Sequence, residues 1–563
     1  MASPDTDIAH EHAPSLEASR ANSHAPLSQP HGWSISEYNP ESTASSHLGV
    51  LGKDHFLIDF APNDPGDPHN WSTARKWLQV CLALYATLAL PLNGTSITIA
   101  ADAISHDFGI TDTPYFSNSY WVVSSWALGG AFFVVTGLPL FEDMGVRPGF
   151  LWSYAFMWFM IIPQALAPNY ATLIITRFFT GGAVAAVANS VSAMIADLWD
   201  TEKDRTLPVS IYILFYVWGD SAGPAVFAAV TEYIGNWRWI FYIQLIIYGA
   251  PFPLLYWLLR EVRPEVILRT RSKKMRKETG RDYFHEGEMT KIPFMLRFWR
   301  STSRPLYLLF TEPVLFAATL WSAFALGLIF LFTQSVEQVF QGLYGWTEAQ
   351  CGYVQGAVLI GQLFGWGAST YGQRFFFSSA DRNLEFPGEP IPEARLYTSV
   401  FGSFFGVAGG MFLYGWTSYP HIHWIFPTLG LAVNGFGTLI VVYAAAEYVV
   451  DAYADSSYAG SALAAVAFGE NIICAFLPLA SQSMYTNLGF QWASTLIGFL
   501  ALGLGFAPVV FIWKGRDLRE RSPFMRSAKG TKVGSGVLAG ADAGAGAGAG
   551  APMTTTTTTT TRK

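Results

Sequence analysis

The sequence predicts an all-α integral membrane protein that crosses the bilayer twelve times, with both termini in the cytoplasm. Three observations carry this. Only 13% of the 563 residues are charged while 51% are hydrophobic, against about 25% charge in an ordinary soluble domain. Twelve apolar stretches approach the length of about 20 residues that spans a hydrocarbon core of roughly 30 Å. The gaps between those stretches are alternately basic and nearly free of Lys and Arg. Arg238 is the one base in the odd-numbered gaps. The even-numbered gaps hold Arg147, Lys203, Arg205, a dense cluster from Arg260 to Arg304, and then Arg374, Arg382 and Arg395. That asymmetry orients the chain with its basic loops inside.

Taken in order, residues 1–75 are polar and rich in Ser, His, Pro and acids. They read as a disordered cytoplasmic tail without a cleavable signal peptide. An N-terminal six-helix bundle over 76–259 holds spans near 77–99, 119–140, 149–167, 171–195, 207–231 and 240–259. A basic cytoplasmic linker covers 260–305. Its stretch LRTRSKKMRKETG (268–280) reads either as a basic amphipathic helix on the inner leaflet or as a solvated linker that sets topology. The C-terminal bundle, 306–513, holds spans near 312–334, 352–371, 396–416, 424–446, 458–478 and 491–513. The tail, 514–563, opens on KGRDLRERS and ends in Ala-Gly and Thr runs, a low-complexity composition expected to lie unstructured in the cytoplasm.

Several functions are excluded or left without support. The net charge of -7 gives no case for nucleic acid as a partner. Cys81, Cys351 and Cys474 have neither metal-ligand spacing nor a disulfide pattern. No phosphate loop is present, so direct ATP drive is not expected. No metal, no other cofactor and no catalytic cluster are expected, and the chain does not read as an enzyme. Asn93-Gly-Thr95 fits a glycosylation pattern but lies inside the first span.

Four features carry chemistry. Arg177 opens RFFTG in the fourth span. An Arg inside a span costs at least about 2.5 kcal/mol on insertion scales, so it faces protein or water unless it snorkels outward. GDSAGPA in the fifth span offers Gly219 and Gly223 for close backbone approach. Its Pro224 removes a donor, bends the helix and frees a carbonyl. GLPLFEDMGVRP between the second and third spans offers Glu142, Gly145 and Arg147, an acid, a turn and a base. The sequences Trp218-Gly219-Asp220-Ser221 and Phe468-Gly469-Glu470-Asn471 place an acid after Gly near the middle of the fifth and eleventh spans. Intramembrane acids are rare and mark proton or substrate paths. Asp220 and Glu470 are therefore candidate proton carriers facing a common cavity, with Arg177 available to stabilise a deprotonated carboxyl. The bland alternative is a local helix clamp.

These motifs resemble the twelve-helix drug:proton antiporter family of the major facilitator superfamily. RFFTG is similar to the Arg motif of its fourth helix, GDSAGPA to its antiporter motif, and GLPLFEDMGVRP to its inner-loop charge latch. Phe227 and Ala228 stand where the antiporter motif has a trailing Gly pair, and Asp143 and Val146 where the latch has bases. DPHNWS (67–72), GNWRWIFYIQL (235–245), LREVRPEVILRTRSKKMRKETG (259–280), TEPV (311–314) and PEARL (392–396) resemble fungal members. The likeness runs from about residue 64 to 521. It implies two six-helix parallel repeats with a substrate site between them. It also implies a role for Arg177 in proton transfer, a helix bent at Pro224 that seals the cavity from one side, and a charge latch at Glu142.

The expected function is secondary active efflux of a small lipophilic compound by proton antiport with alternating access, from a monomer in the plasma membrane. The partners are then that compound, protons and the lipid bilayer. The density of Trp, Tyr and Phe, 16% of residues, favours a flat lipophilic cargo. The alternatives are a proton-coupled importer of a small nutrient or polyamine, and a membrane sensor.

Overall fold

The computed structural model describes residues 33–37, 56–113, 117–137, 144–285, 288, 293–383, 388–453 and 458–525. The chain divides into two units. Met1–Trp71 with Ile267–Lys291 forms the smaller; Ser72–Val266 with Ile292–Lys563 forms the larger.

Helices dominate the larger unit. In its first half these are α1 (Thr73–Ala89), α2 (Trp121–Thr136), α3 (Val146–Ala165), α4 (Tyr170–Leu198), α5 (Glu202–Tyr233) and α6 (Arg238–Gly249). Helix α7 (Pro264–Thr279) belongs mostly to the smaller unit. Then come α8 (Phe294–Thr311), α9 (Pro313–Tyr344), α10 (Gly356–Phe377), α11 (Gly409–Thr417), α12 (Ile425–Ala452), α13 (Ala459–Phe476) and α14 (Phe490–Leu504). Among the described residues, ten helical stretches are long and apolar enough to cross a membrane. Twelve were expected. Helices of 20 and 22 residues, α3 and α10, stand where the third and eighth spans are expected. Trp, Tyr and Pro in α3, and Gly and Gln in α10, dilute their apolar character.

Local signals set the ends of these helices. Asn169 accepts from the Thr172 amide at 2.8 Å and opens α4. Gly345, at φ 66°, closes α9 in the left-handed conformation. Pro91 follows α1 closely, and the chain continues to Phe108 in short helical pieces.

Small residues set the crossings. A Cβ on Gly129 would strike the Phe178 carbonyl, and one on Gly181 would strike that of Trp126. Helices α2 and α4 therefore touch backbone to backbone. The same device joins α10 to α12, where Gly361 lies on the Ala432 carbonyl and Gly435 on that of Val358. Lipid offers little hydrophobic drive for helices to associate, so such close dispersion contact carries the packing. The two halves meet along two seams. In one α5 packs against α10 and the turn before it; in the other α2 packs against α13.

The smaller unit departs from the expected disordered tail. Strand β1 (Trp33–Glu37) pairs antiparallel with β2 (Phe56–Phe60), and β2 pairs parallel with β3 (Tyr283–Phe284). Ile58, Leu268, Met275 and Tyr283 make its core. Arg271 pairs with Asp64, and Glu288 accepts from Arg276 at 3.1 Å and Ser272 at 3.0 Å. The linker helix thus spends its apolar positions on a sheet. FLIDF alternates a buried Ile58 with an exposed Asp59, the period of a strand. Its partner lies more than 200 residues away, which is why composition alone reads the segment as tail. Residues 1–32 and 526–563 lie outside the described residues.

Candidate functional site

Helix α5 carries Tyr212, Tyr216 and Asp220 four residues apart, so one face presents all three. Asp220 is buried, and its Oδ1 has no hydrogen-bond partner. Pro224, four residues on, has no N–H to give the Asp220 carbonyl. Thr95 fills that vacancy, its Oγ donating to the Asp220 oxygen at 2.7 Å. Gly219 brings α5 against the Leu88 carbonyl and Pro91, where an added Cβ would sit 2.7 Å from that oxygen. Gly223 lies on Thr95 and Ser96, leaving 2.5 Å from such a Cβ to the Ser96 nitrogen. The glycines and the proline seat α5 on the break in the first span, and that seating fixes the depth of Asp220.

Glu470 sits on α13. It is buried, and the Ser322 hydroxyl of α9 donates to its Oε1. Asp220 on α5 and Glu470 on α13 belong to opposite halves of the larger unit. Next to Glu470, Asn471 abuts Gly130 of α2. Of these two acids, one is tied by a hydroxyl and the other holds an oxygen without a partner.

Arg177 is fully buried. Its Nε donates to the Val122 carbonyl at 2.6 Å, Nη1 to that of Asn93 at 3.0 Å and Nη2 to that of Gly94 at 2.5 Å. No ion pair joins it to Asp220 among the described residues. A polar network surrounds it. Asn93 donates to Gln244 at 2.8 Å and Gln164 at 3.3 Å, while Gln244 donates to Ser96 at 2.7 Å. Arg177 thus grips the broken segment on which α5 rests.

In the inner-loop motif, Glu142 lies outside the described residues. Gly145 adopts φ 97°, a conformation open to Gly. The amides of Val146 and Arg147 donate to Glu261 at 3.2 and 3.1 Å, and Arg147 Nη2 donates to the Tyr256 carbonyl at 3.0 Å. Glu261 caps α3, so this end of the loop is tied within the first half.

Two clusters escaped the sequence reading. Arg395 of PEARL, read only as topogenic charge, is buried. It reaches Glu202 at 2.6 Å, Asp451 at 2.8 Å and Glu447 at 3.0 Å, and stacks 3.5 Å over the Phe376 ring. Glu202 belongs to the first half, so this is a tie between halves. The i, i+4 spacing of Glu447 and Asp451 at an inner helix end was its only local signal. The second cluster gathers Asp102, Glu337 and Glu348, whose carboxylate oxygens lie within 4.8 Å of one another. Tyr120 bonds Thr333 at 2.7 Å across the halves. Among the aromatic side chains, Trp126 stacks on Phe330 while Phe132 is exposed.

The family profile for the Major Facilitator Superfamily matches residues 82–478. The MFS transporter cpaT of Aspergillus oryzae is 32% identical over 88% of this chain and 97% of its own length. The efflux pump atB of Aspergillus terreus is 31% identical over 86% and 94%. The multidrug transporter FLU1 of Candida albicans is 31% identical over 86% and 79%.

Proposed function

This chain belongs to the major facilitator superfamily, in its fungal drug and secondary-metabolite efflux branch, and on that premise we propose that it exports a small lipophilic compound in exchange for protons. It is a multi-pass membrane transporter rather than an enzyme. On our reading α3 and α10 complete twelve crossings in two six-helix repeats, both termini face the cytoplasm, and a monomer works in the plasma membrane.

One observation carries the proposal: Asp220, buried on the helix that packs against the other half, holds a carboxyl oxygen without a hydrogen-bond partner. A buried carboxylate is costly without a partner, whereas a protonated one is not. Asp220 can therefore hold a proton while the site is closed and release it when water enters. Glu470, with Ser322 donating to it, is the second station. Alternating access then requires that the Arg395 tie to Glu202 break when the inner side opens. Arg177 acts through the break in the first span and holds Asp220 at its depth.

The test is uptake of a lipophilic dye into inside-out vesicles under an imposed pH gradient. An antiporter exchanging one proton concentrates the dye about tenfold per pH unit, since 1.4 kcal/mol is a factor of ten. Dye accumulation that ignores the gradient contradicts antiport. Accumulation in the opposite direction favours the importer.

A further inference from the structure

Helix α8 is 18 residues long and is not among the stretches apolar enough to span. It nevertheless leaves large apolar side chains in the open: Met295 is 71% exposed, Trp299 67% and Phe310 74%. At 100° per residue these three form one stripe, which Leu296 and Tyr307 widen. Leu308, on the far side of the helix, and Leu309, at the edge of the stripe, pack inward. Arg300 and Arg304 border the exposed stripe, and the Arg304 guanidinium lies 5.2 Å over the Tyr458 ring.

Three faces on one helix call for three surroundings: protein, acyl chain and anionic headgroup. The helix ends at Thr311, and Glu312 turns the chain in an extended conformation into α9, a membrane span. The stripe thus runs directly into a membrane span, on the side where the basic loops lie. Helix α8 packs against both α2 and α13, which puts it across the seam between the halves.

We propose that α8 lies in the inner leaflet and takes anionic phospholipid there, its stripe among the acyl chains and Arg300 and Arg304 on the headgroup. Interfacial helices bind in this way, by buried apolar area plus attraction to anionic lipid. A soluble acidic partner would match the arginines but leave Trp299 and Phe310 in water. Because α8 crosses a seam between the halves, bound lipid loads the joint that alternating access must move.

The experiment uses the full chain with Cys81, Cys351 and Cys474 replaced by Ser, reconstituted in phosphatidylcholine vesicles. A fluorophore is attached at Trp299→Cys or, as the aqueous control, at Asp381→Cys in an exposed inner turn. Brominated lipid is expected to quench the label at 299, and iodide the label at 381. Brominated phosphatidylserine is expected to act at about five-fold lower mole fraction than brominated phosphatidylcholine, the order for one basic side chain at an anionic surface. That preference disappears in R300Q/R304Q and returns in R300K/R304K. Iodide reaching 299 as fully as 381 overturns the proposal and points to solvent or a protein partner. Equal quenching by both lipids overturns the anionic assignment. Neither readout needs transport, so failure here is separate from failure of the efflux reading.

Discussion

Two buried charge sites join the halves, and they are built on opposite principles. At one of them, Arg395 is surrounded by Glu202, Glu447 and Asp451 and stacked on Phe376. On α5 and α13, the buried Asp220 and Glu470 are both acids, and the one cation buried in α4, Arg177, spends its donors on carbonyls. A charge with its partners in place stays where it is. A carboxyl oxygen left without a partner, as in Asp220, gains nothing from its charge. We read the first site as the one that holds, and propose the second as the one that couples.

The largest effect should come from removing the base at the held site. Arg395→Leu leaves carboxylates buried without their cation, a loss on the order of 3–5 kcal/mol for breaking a buried pair. Thermal unfolding in detergent checks this, and an unchanged midpoint would show that the network is solvated. A volume change at the helix crossing comes next. Gly181→Val pushes a side chain into the Trp126 carbonyl, and overpacking costs about 1–3 kcal/mol. Reduced yield of folded protein on size exclusion is expected, whereas Gly503→Val, in open space, should match the parent. Glu202→Gln is milder. Its carboxylate is partly exposed, and pairs of that kind are worth about 1 kcal/mol or less. The expected change is easier inner opening, read as faster labelling of a Cys at Trp366 with stability nearly kept; equal labelling would mean that this pair does not hold the halves.

The smallest effect concerns the smaller unit. Burial pushes the Glu288 carboxyl up, but Arg276 and Ser272 outweigh this and hold it below its ordinary value of 4.5. A lowered carboxyl contributes stability above its unfolded value and loses it as pH falls through the folded one. Limited proteolysis should therefore cut the 267–291 segment faster in acid below about pH 4.5. Glu288→Gln should be cut readily at neutral pH too and show less acid dependence.

Much of this was legible because it is local. Apolar length marked ten of the twelve expected spans, Gly marked close helix approach, and Pro224 marked a freed carbonyl, which the structure shows to be that of Asp220, completed by Thr95. What stayed hidden depends on distant partners. Arg395 and Glu202 are 193 residues apart, so nothing near either reveals the pairing. Phe56 and Tyr283 pair across the whole first half, and Glu261 reaches back more than 110 residues to cap α3. The donors of Arg177 were equally unreadable, because backbone carbonyls leave no mark in a sequence.

The central claim is that Asp220 and Glu470 couple the two halves to protons. It is tested most directly by comparing exchange with accumulation in proteoliposomes for Asp220→Asn and Glu470→Gln. At least one variant should still exchange dye across the membrane at equilibrium yet build no gradient when the pH differs. Full pH-driven accumulation in both would contradict it.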